Sequence, residues 1–136
     1  MLAGKLLLDT NILLAALLAP ARLSKQIAAQ LRDPQREVFF SAVSIWEIAI
    51  KASLGRNDFS FQPEDIQGLA LATGFIELPI SATQSARVAR LPWHHRDPFD
   101  RMLIAQAQDL PAQLLTTDAL LPRYSELVFL TRLTKA

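Results

Sequence analysis

A chain of 136 residues is long enough for one domain with a real core and too short for two comfortable ones, so a single domain over 1–136 is expected. Hydrophobic residues make up 51% and charged residues 20%, the balance of a globular domain, and the absence of cysteine excludes a disulfide framework, thiolate zinc sites and thiol catalysis. The net charge is only +1, so no basic excess advertises a nucleic-acid binder, although ten of the 14 basic residues are arginines that could line a locally positive groove.

The start, Met1-Leu-Ala-Gly-Lys5, runs at once into an apolar stretch holding an acid and does not read as a secretory signal. Lys5 to Leu8 reads as a buried strand, Asp9-Thr10-Asn11 as a polar turn that caps a helix, and Ile12 to Leu18 as that helix, stopped by Pro20. The apolar run Ile12 to Pro20 falls far short of the roughly 20 residues a membrane span needs, and a cytoplasmic location is expected. Leu23 to Leu31 has helical spacing with Ser24 as its cap, and Asp33-Pro34 ends it. Val38 to Ser41 is a short β-rich run, the form of a buried parallel strand. Val43 to Leu54 reads as a helix terminated by Gly55. Pro63 to Ala72 is another helix, closed by Gly74, and Phe75 to Leu78 a third strand. Ser81 to Leu91 is helical with Arg87 and Arg90 on its polar face, and Pro92 to Arg96 is a loop. Asp97-Pro98 opens a helix to about Asp109, because Asp is a good N-cap and Pro fits the first helical position. Gln113 to Thr116 makes a fourth strand, Asp118 to Leu121 a helical turn, and Leu127 to Leu130 a fifth strand.

This alternation predicts an α/β fold, a three-layer α/β/α sandwich around a central, mostly parallel five-stranded sheet. Ligands of such folds bind beyond the carboxyl ends of the strands, at a switch in strand order. Asp9 ends the first strand and Asp118 follows the fourth, although each could simply cap a helix. Asp100, third residue of its helix, could close a capping box or favour the helix dipole, and Asp97 is assigned to the N-cap. Glu47 differs, because its neighbours in Ser-Ala-Val-Ser-Ile-Trp-Glu-Ile-Ala-Ile are nearly all apolar. An ionised carboxylate buried there needs a partner or a metal, and the ordinary partner is Lys51, one turn on.

If the four carboxylates meet, they cannot all stay ionised without a cation. Hard oxygen donors suit Mg²⁺ or Mn²⁺, and such ions activate water for phosphodiester hydrolysis with no side-chain nucleophile. The chain has no Gly-rich phosphate loop, zinc helix or Gly-x-Ser-x-Gly elbow. Trp93, His94, His95 and Arg96 form a polar loop; its ordinary reading is solvation, and its functional one is stacking on or hydrogen bonding to single-stranded RNA.

The segments LLLDTNILLAAL, SAVSIWEIAIKASLGR, RDPFDRMLIAQA and LLTTDALL, in this order and spacing, resemble the PIN-domain family, specifically the VapC-like toxins of bacterial toxin–antitoxin pairs. The resemblance runs from about Leu6 to Phe129. It implies that Asp9, Glu47, Asp100 and Asp118 form a metal-binding catalytic quartet, with Thr10, Asn11 and Thr116 positioning water or metal; Asp97, read from its own position as an N-cap, would support the site from outside the quartet. It further implies a PIN-like sheet, Mg²⁺ or Mn²⁺ dependence, endonucleolytic RNA cleavage, homodimerisation and neutralisation by a small VapB-like antitoxin. Asn11 departs from the His or small polar residue of many relatives, and Ala119 follows the last Asp; neither removes a ligand.

Two other classes compete with this reading. A phosphatase-like aspartate phosphotransfer domain needs a second Asp at position 11, which is Asn, and a receiver domain needs a lysine after a late strand, where only Lys135 is available. A catalytically inactive PIN-like binding module would not need all four acids. For the antitoxin, the ordinary reading of the apolar Ile12–Leu18 helix is burial in the core; the alternative is a groove formed with the Leu23–Leu31 helix that takes an antitoxin segment, from which an Arg reaches the acidic pocket.

Overall fold

A computed structural model describes residues 4–55 and 61–135. The amino-terminal reading at Met1 to Ala3, and Arg56 at the end of the second motif, lie outside the described residues. Five strands alternate with helices: β1 (Lys5–Leu8), α1 (Thr10–Leu18), α2 (Lys25–Arg32), β2 (Glu37–Ser41), α3 (Ala42–Ser53), α4 (Pro63–Thr73), β3 (Ile76–Leu78), α5 (Ala82–Arg87), α6 (Pro98–Asp109), β4 (Gln113–Thr116) and β5 (Val128–Leu130), with 3₁₀ turns at Pro20–Arg22, Val88–Arg90 and Leu121–Tyr124. No helix among the described residues is long and apolar enough to cross a membrane.

Local chemistry sets most of the element ends. Ser24 Oγ accepts from the Ile27 amide at 3.1 Å and starts α2. Asp97 accepts from Phe99 and Asp100 ahead of Pro98, at the start of α6. Gly74 closes α4 at φ +99°, a left-handed conformation that a residue without Cβ adopts at little cost.

The sheet is wholly parallel with order β3-β2-β1-β4-β5. Because side chains alternate across a strand, Leu6 and Leu8 pack on one face with Phe40, Ile12 of α1, Ile27 of α2 and Ile66 of α4. Leu7 packs on the other with Phe39, Leu114 and the α6 residues Leu103, Ile104 and Ala107. Both faces are covered, which gives the expected three-layer sandwich. The chain runs outward from β1 to β3 on one side, then returns to place β4 on the other. The switch therefore falls between β1 and β4, where Leu8 lies opposite Leu115, and Asp9 and Thr116 follow as neighbours.

Two elements differ from expectation. The Ser81–Leu91 helix stops being α-helical at Arg87 and tightens into a 3₁₀ turn. The carbonyls of Val88 and Leu91 turn to the Arg101 guanidinium, at 3.0 and 3.3 Å, and Pro92 disfavours helical backbone at Leu91. The helical turn expected at Asp118–Leu121 forms instead at Leu121–Tyr124, because Asp118 is used to accept from the Leu120 amide at 2.9 Å.

Phe40, fully buried beside the central strand, tests how far this core carries the fold. Phe40→Ala is expected to cost about 3–5 kcal/mol, read as a lower urea midpoint with unchanged cooperativity.

Candidate active site

The site lies at the carboxyl ends of β1 and β4, where the strand order switches. Asp9 leaves β1 as the N-cap of α1. Its Oδ1 accepts from the Ile12 amide at 2.8 Å, and its Oδ2 from the Thr116 hydroxyl at 2.7 Å and the Thr117 amide at 3.2 Å. Glu47 projects from α3. Its Oε1 accepts from the Thr10 hydroxyl at 2.6 Å, and its Oε2 pairs with Lys51 Nζ at 2.8 Å. Ser44 Oγ lies 2.9 Å from Thr10 Oγ1, extending a buried polar chain between α1 and α3. Glu47 is paired with Lys51, one of the two explanations that the sequence offered, and it also lines the same cavity as Asp100 and Asp118.

Asp100 stands in the first turn of α6, and Asp118 follows β4. Trp46, next to Glu47, meets Phe99, next to Asp100, edge to face at 5.3 Å. That contact fixes α3 against α6 and so the spacing of their two carboxylates. His95 Nε2 lies 2.7 Å from Asp118 Oδ2 and 3.6 Å from Asp100 Oδ2. His95, Asp100 and Asp118 each present a donor atom within 4.8 Å of the others. A cavity of about 240 Å³ is lined by Thr10, Asn11, Glu47, His95, Asp100 and Asp118, with Lys51 and Asp97. Asp9, only 4% exposed, is not among the lining residues but acts on them through its charge.

The electrostatics follow from this crowding. Burial pushes the Asp9 carboxyl up, against the hydrogen bonds from Ile12, Thr116 and Thr117 that favour its ionised form, and the Glu47 charge adds to the rise. Asp100 is pushed up to about 7, first by burial, then by the charges of Asp97 and Asp9, with His95 opposing. Lys51 is committed to Glu47. Arg101, adjacent to Asp100, gives its guanidinium to the carbonyls of Val88, Leu91, Pro92 and His95 and to Tyr124 Oη, 2.9–3.4 Å away. A divalent cation fits this arrangement: the carboxylate donors are hard oxygens, and its charge would favour the ionised forms against the burial and like charges that raise both groups.

All four expected acids are brought to this region, as are Thr10, Asn11, Thr116 and Asp97. Asn11 Nδ2 reaches Thr117 Oγ1 at 3.4 Å. Within the 93–96 loop the residues part. His95 turns into the acidic cavity, whereas Trp93, 75% exposed, lies on the Arg101 guanidinium at 3.9 Å. His94 packs edge-on against Tyr124, and Arg96 is exposed. Sequence reasoning missed Ser44, Arg101 and Tyr124, and weighed Lys51 only as a surface partner. Arg101 carried a signal: it sits three and four residues before Ile104 and Ala105, on the buried stripe of α6, where an arginine must have acceptors.

A family model for the PIN domain matches residues 6–127. No curated protein sequence matches the chain. Among solved structures, the VapBC2 complex of Rickettsia felis bound to a DNA fragment from its promoter superposes with a TM-score of 0.69 at 15% identity, covering 96% of this chain and 99% of that one. A toxin–antitoxin complex from Klebsiella pneumoniae gives 0.59 at 22% identity, covering 90% and 94%. VapBC-5 of Mycobacterium tuberculosis gives 0.55 at 21%, covering 96% and 99%. At these identities the likeness is one of fold.

A carboxyl group that binds its proton more tightly in the folded state adds stability below its unfolded pKa, and loses it as pH rises through the folded value. In chelator, the unfolding free energy should therefore fall between about pH 4 and pH 8, by up to about 4 kcal/mol for Asp100. Asp100→Asn should flatten that fall and be the more stable protein at pH 8, as denaturant titrations across this range would show.

Proposed function

The chain belongs to the PIN-domain family, and on that premise we propose that it is a divalent-metal-dependent endoribonuclease, the toxin of a toxin–antitoxin pair. The observation that carries the reading is the crowding of buried carboxyl groups at the β1/β4 switch, only part of which Lys51 and His95 offset. Burial and neighbouring carboxylates raise Asp9 and Asp100, while the guanidinium of Arg101, next to Asp100 in the chain, binds carbonyls and Tyr124 instead. Asp9, Glu47, Asp100 and Asp118 would hold the ion; when bound, Mg²⁺ or Mn²⁺ supplies Lewis acidity that generates hydroxide from water and offsets phosphate charge.

The chain's own residues do the positioning. Thr116 and the Thr117 amide orient Asp9, whose Oδ1 keeps a second lone pair beside the Ile12 bond. Thr10 and Lys51 fix Glu47, and Asn11 and Lys51 line the cavity where a phosphate would enter. Trp93 offers its outer face to an unpaired base, with its inner face held by Arg101, and base stacking of this kind suits single-stranded RNA. Arg96 lines the same cleft as Trp93 and would meet the backbone. Asp9 makes a poor phosphoryl acceptor, being 4% exposed with both oxygens engaged, which disfavours aspartate-based phosphotransfer.

The antitoxin reading rests on a second cavity, about 480 Å³, lined by Leu14, Leu18, Arg22 and Leu133 among others and sharing Asn11 with the acidic one. Two of the structural neighbours are named for toxin–antitoxin systems, and a third carries the same VapBC name. An apolar antitoxin segment lying here could send an Arg past Asn11 to the carboxylates. A homodimer and a cytoplasmic location accompany this reading.

Cleavage of cellular RNA by purified protein tests it. Activity should require Mg²⁺ or Mn²⁺, vanish in chelator, and fall at least about 100-fold in Asp9→Asn and Asp100→Asn, the scale for losing a transition-state contact. Variants that cut as well as the wild type would defeat the proposal.

A further inference from the structure

His95 completes a three-residue cluster with Asp100 and Asp118 whose donor atoms lie within 4.8 Å of one another, and by distance alone it would be a third ligand. Its proton decides otherwise. The Asp97 backbone amide donates to His95 Nδ1 at 3.0 Å, so Nδ1 presents its lone pair inward and the ring proton must sit on Nε2. That proton points at Asp118 Oδ2, 2.7 Å away. A nitrogen that carries a proton has no lone pair for a cation.

The ring has little freedom to exchange these roles. The His95 amide donates to Tyr124 Oη at 2.8 Å, and its carbonyl accepts from Arg101 Nη1 at 3.4 Å and from Tyr124 at 3.3 Å. Arg101 is 3% exposed. The Asp97 amide is fixed in turn, because Asp97 caps α6 through Phe99 and Asp100. Rotating the ring to offer Nε2 to an ion would leave the Asp97 amide and Asp118 Oδ2 without these partners.

We infer that His95 is a positioning residue, an Nε2–H donor that clamps Asp118 in place for the carboxylate site, and is not a metal ligand. This deepens the proposed metal site and rests on it for the role of Asp118. The α6 cap sets the imidazole tautomer through its backbone amide, and the imidazole sets the carboxylate. The donor set left for the ion is all oxygen, which favours Mg²⁺ and Mn²⁺ over softer ions.

Nitrogen-15 NMR of the imidazole, with Mn²⁺ affinity of the variants, tests the inference. In metal-free protein His95 should be protonated at Nε2 with Nδ1 accepting, and diamagnetic Mg²⁺ should leave that tautomer unchanged. His95→Ala should shift the Asp118 backbone resonances and lower Mn²⁺ affinity about 10–100-fold, the range for losing a partner that orients a ligand. His95→Gln, which can offer an N–H from a similar position, should recover most of the loss. An Nδ1-protonated ring, a ring nitrogen that coordinates on metal addition, or a His95→Ala variant with wild-type affinity and unmoved Asp118 would each overturn it. Failure of the wild type to bind Mg²⁺ or Mn²⁺ would instead defeat the metal reading of the site; the tautomer and the Asp118 shift would still decide whether His95 clamps that carboxylate.

Discussion

The seam between β1 and β4 holds a carboxylate that water barely reaches, and the surroundings are arranged around the cost of that burial. Strand register places Asp9 beside Thr116, so the hydroxyl and the next amide can pay back part of the desolvation by hydrogen bonding to Oδ2. The helix that begins at Thr10 supplies the third donor. Three donors reduce the penalty without removing it, since Asp9 still titrates above the usual carboxylate range. Glu47 is treated differently, with a lysine and a hydroxyl of its own. Asp100 has the weakest compensation, a histidine at 3.6 Å against three like charges.

Arg101 shows that this imbalance is built in. A guanidinium one residue from Asp100 could have neutralised it, yet both its Nη groups go to neutral oxygens of the 88–95 segment and to Tyr124. A buried cation spread over carbonyls organises a loop, and here the loop carries His95 into the cavity and sets Trp93 on its surface. The same side chain thus shapes two parts of the site while leaving the carboxylates their charge.

Much of this was legible in the sequence, for identifiable reasons. β1, the Asp9 cap and α1 are adjacent in the chain, and their signals are local: an apolar run, a cap residue, a second apolar run. Pro98 after Asp97 marked α6 equally well. The helix break at Arg87 was not legible, because its cause, Arg101, lies 13 residues from Val88 and acts through carbonyls. The inward turn of His95 has the same character: it depends on Tyr124, 29 residues away, and no periodicity links a loop histidine to a tyrosine in a later turn. Glu47 lay between these cases. Its burial could be read from its neighbours, whereas the choice between Lys51 and a shared site could not, and the structure required no choice.

Three of the acids, Asp9, Asp97 and Asp118, also accept from backbone amides two or three residues on. Asp9 and Asp97 thus cap α1 and α6, whereas Asp118 closes a turn at Leu120 ahead of the last 3₁₀ turn, and none of these roles competes with a place in the site. A capping carboxylate has its rotamer fixed by the backbone it caps, and fixed rotamers are what a small cation with strict geometry requires. The helix N-terminus also favours the ionised form, which partly offsets repulsion among the acids. Alanine at Asp9 therefore removes a cap and a charge together, and lost activity could follow from a frayed α1. Asparagine keeps an oxygen for the cap but puts an NH₂ group where Oδ2 accepts from Thr116 and Thr117, so it separates the α1 cap from the charge while giving up the contacts to β4.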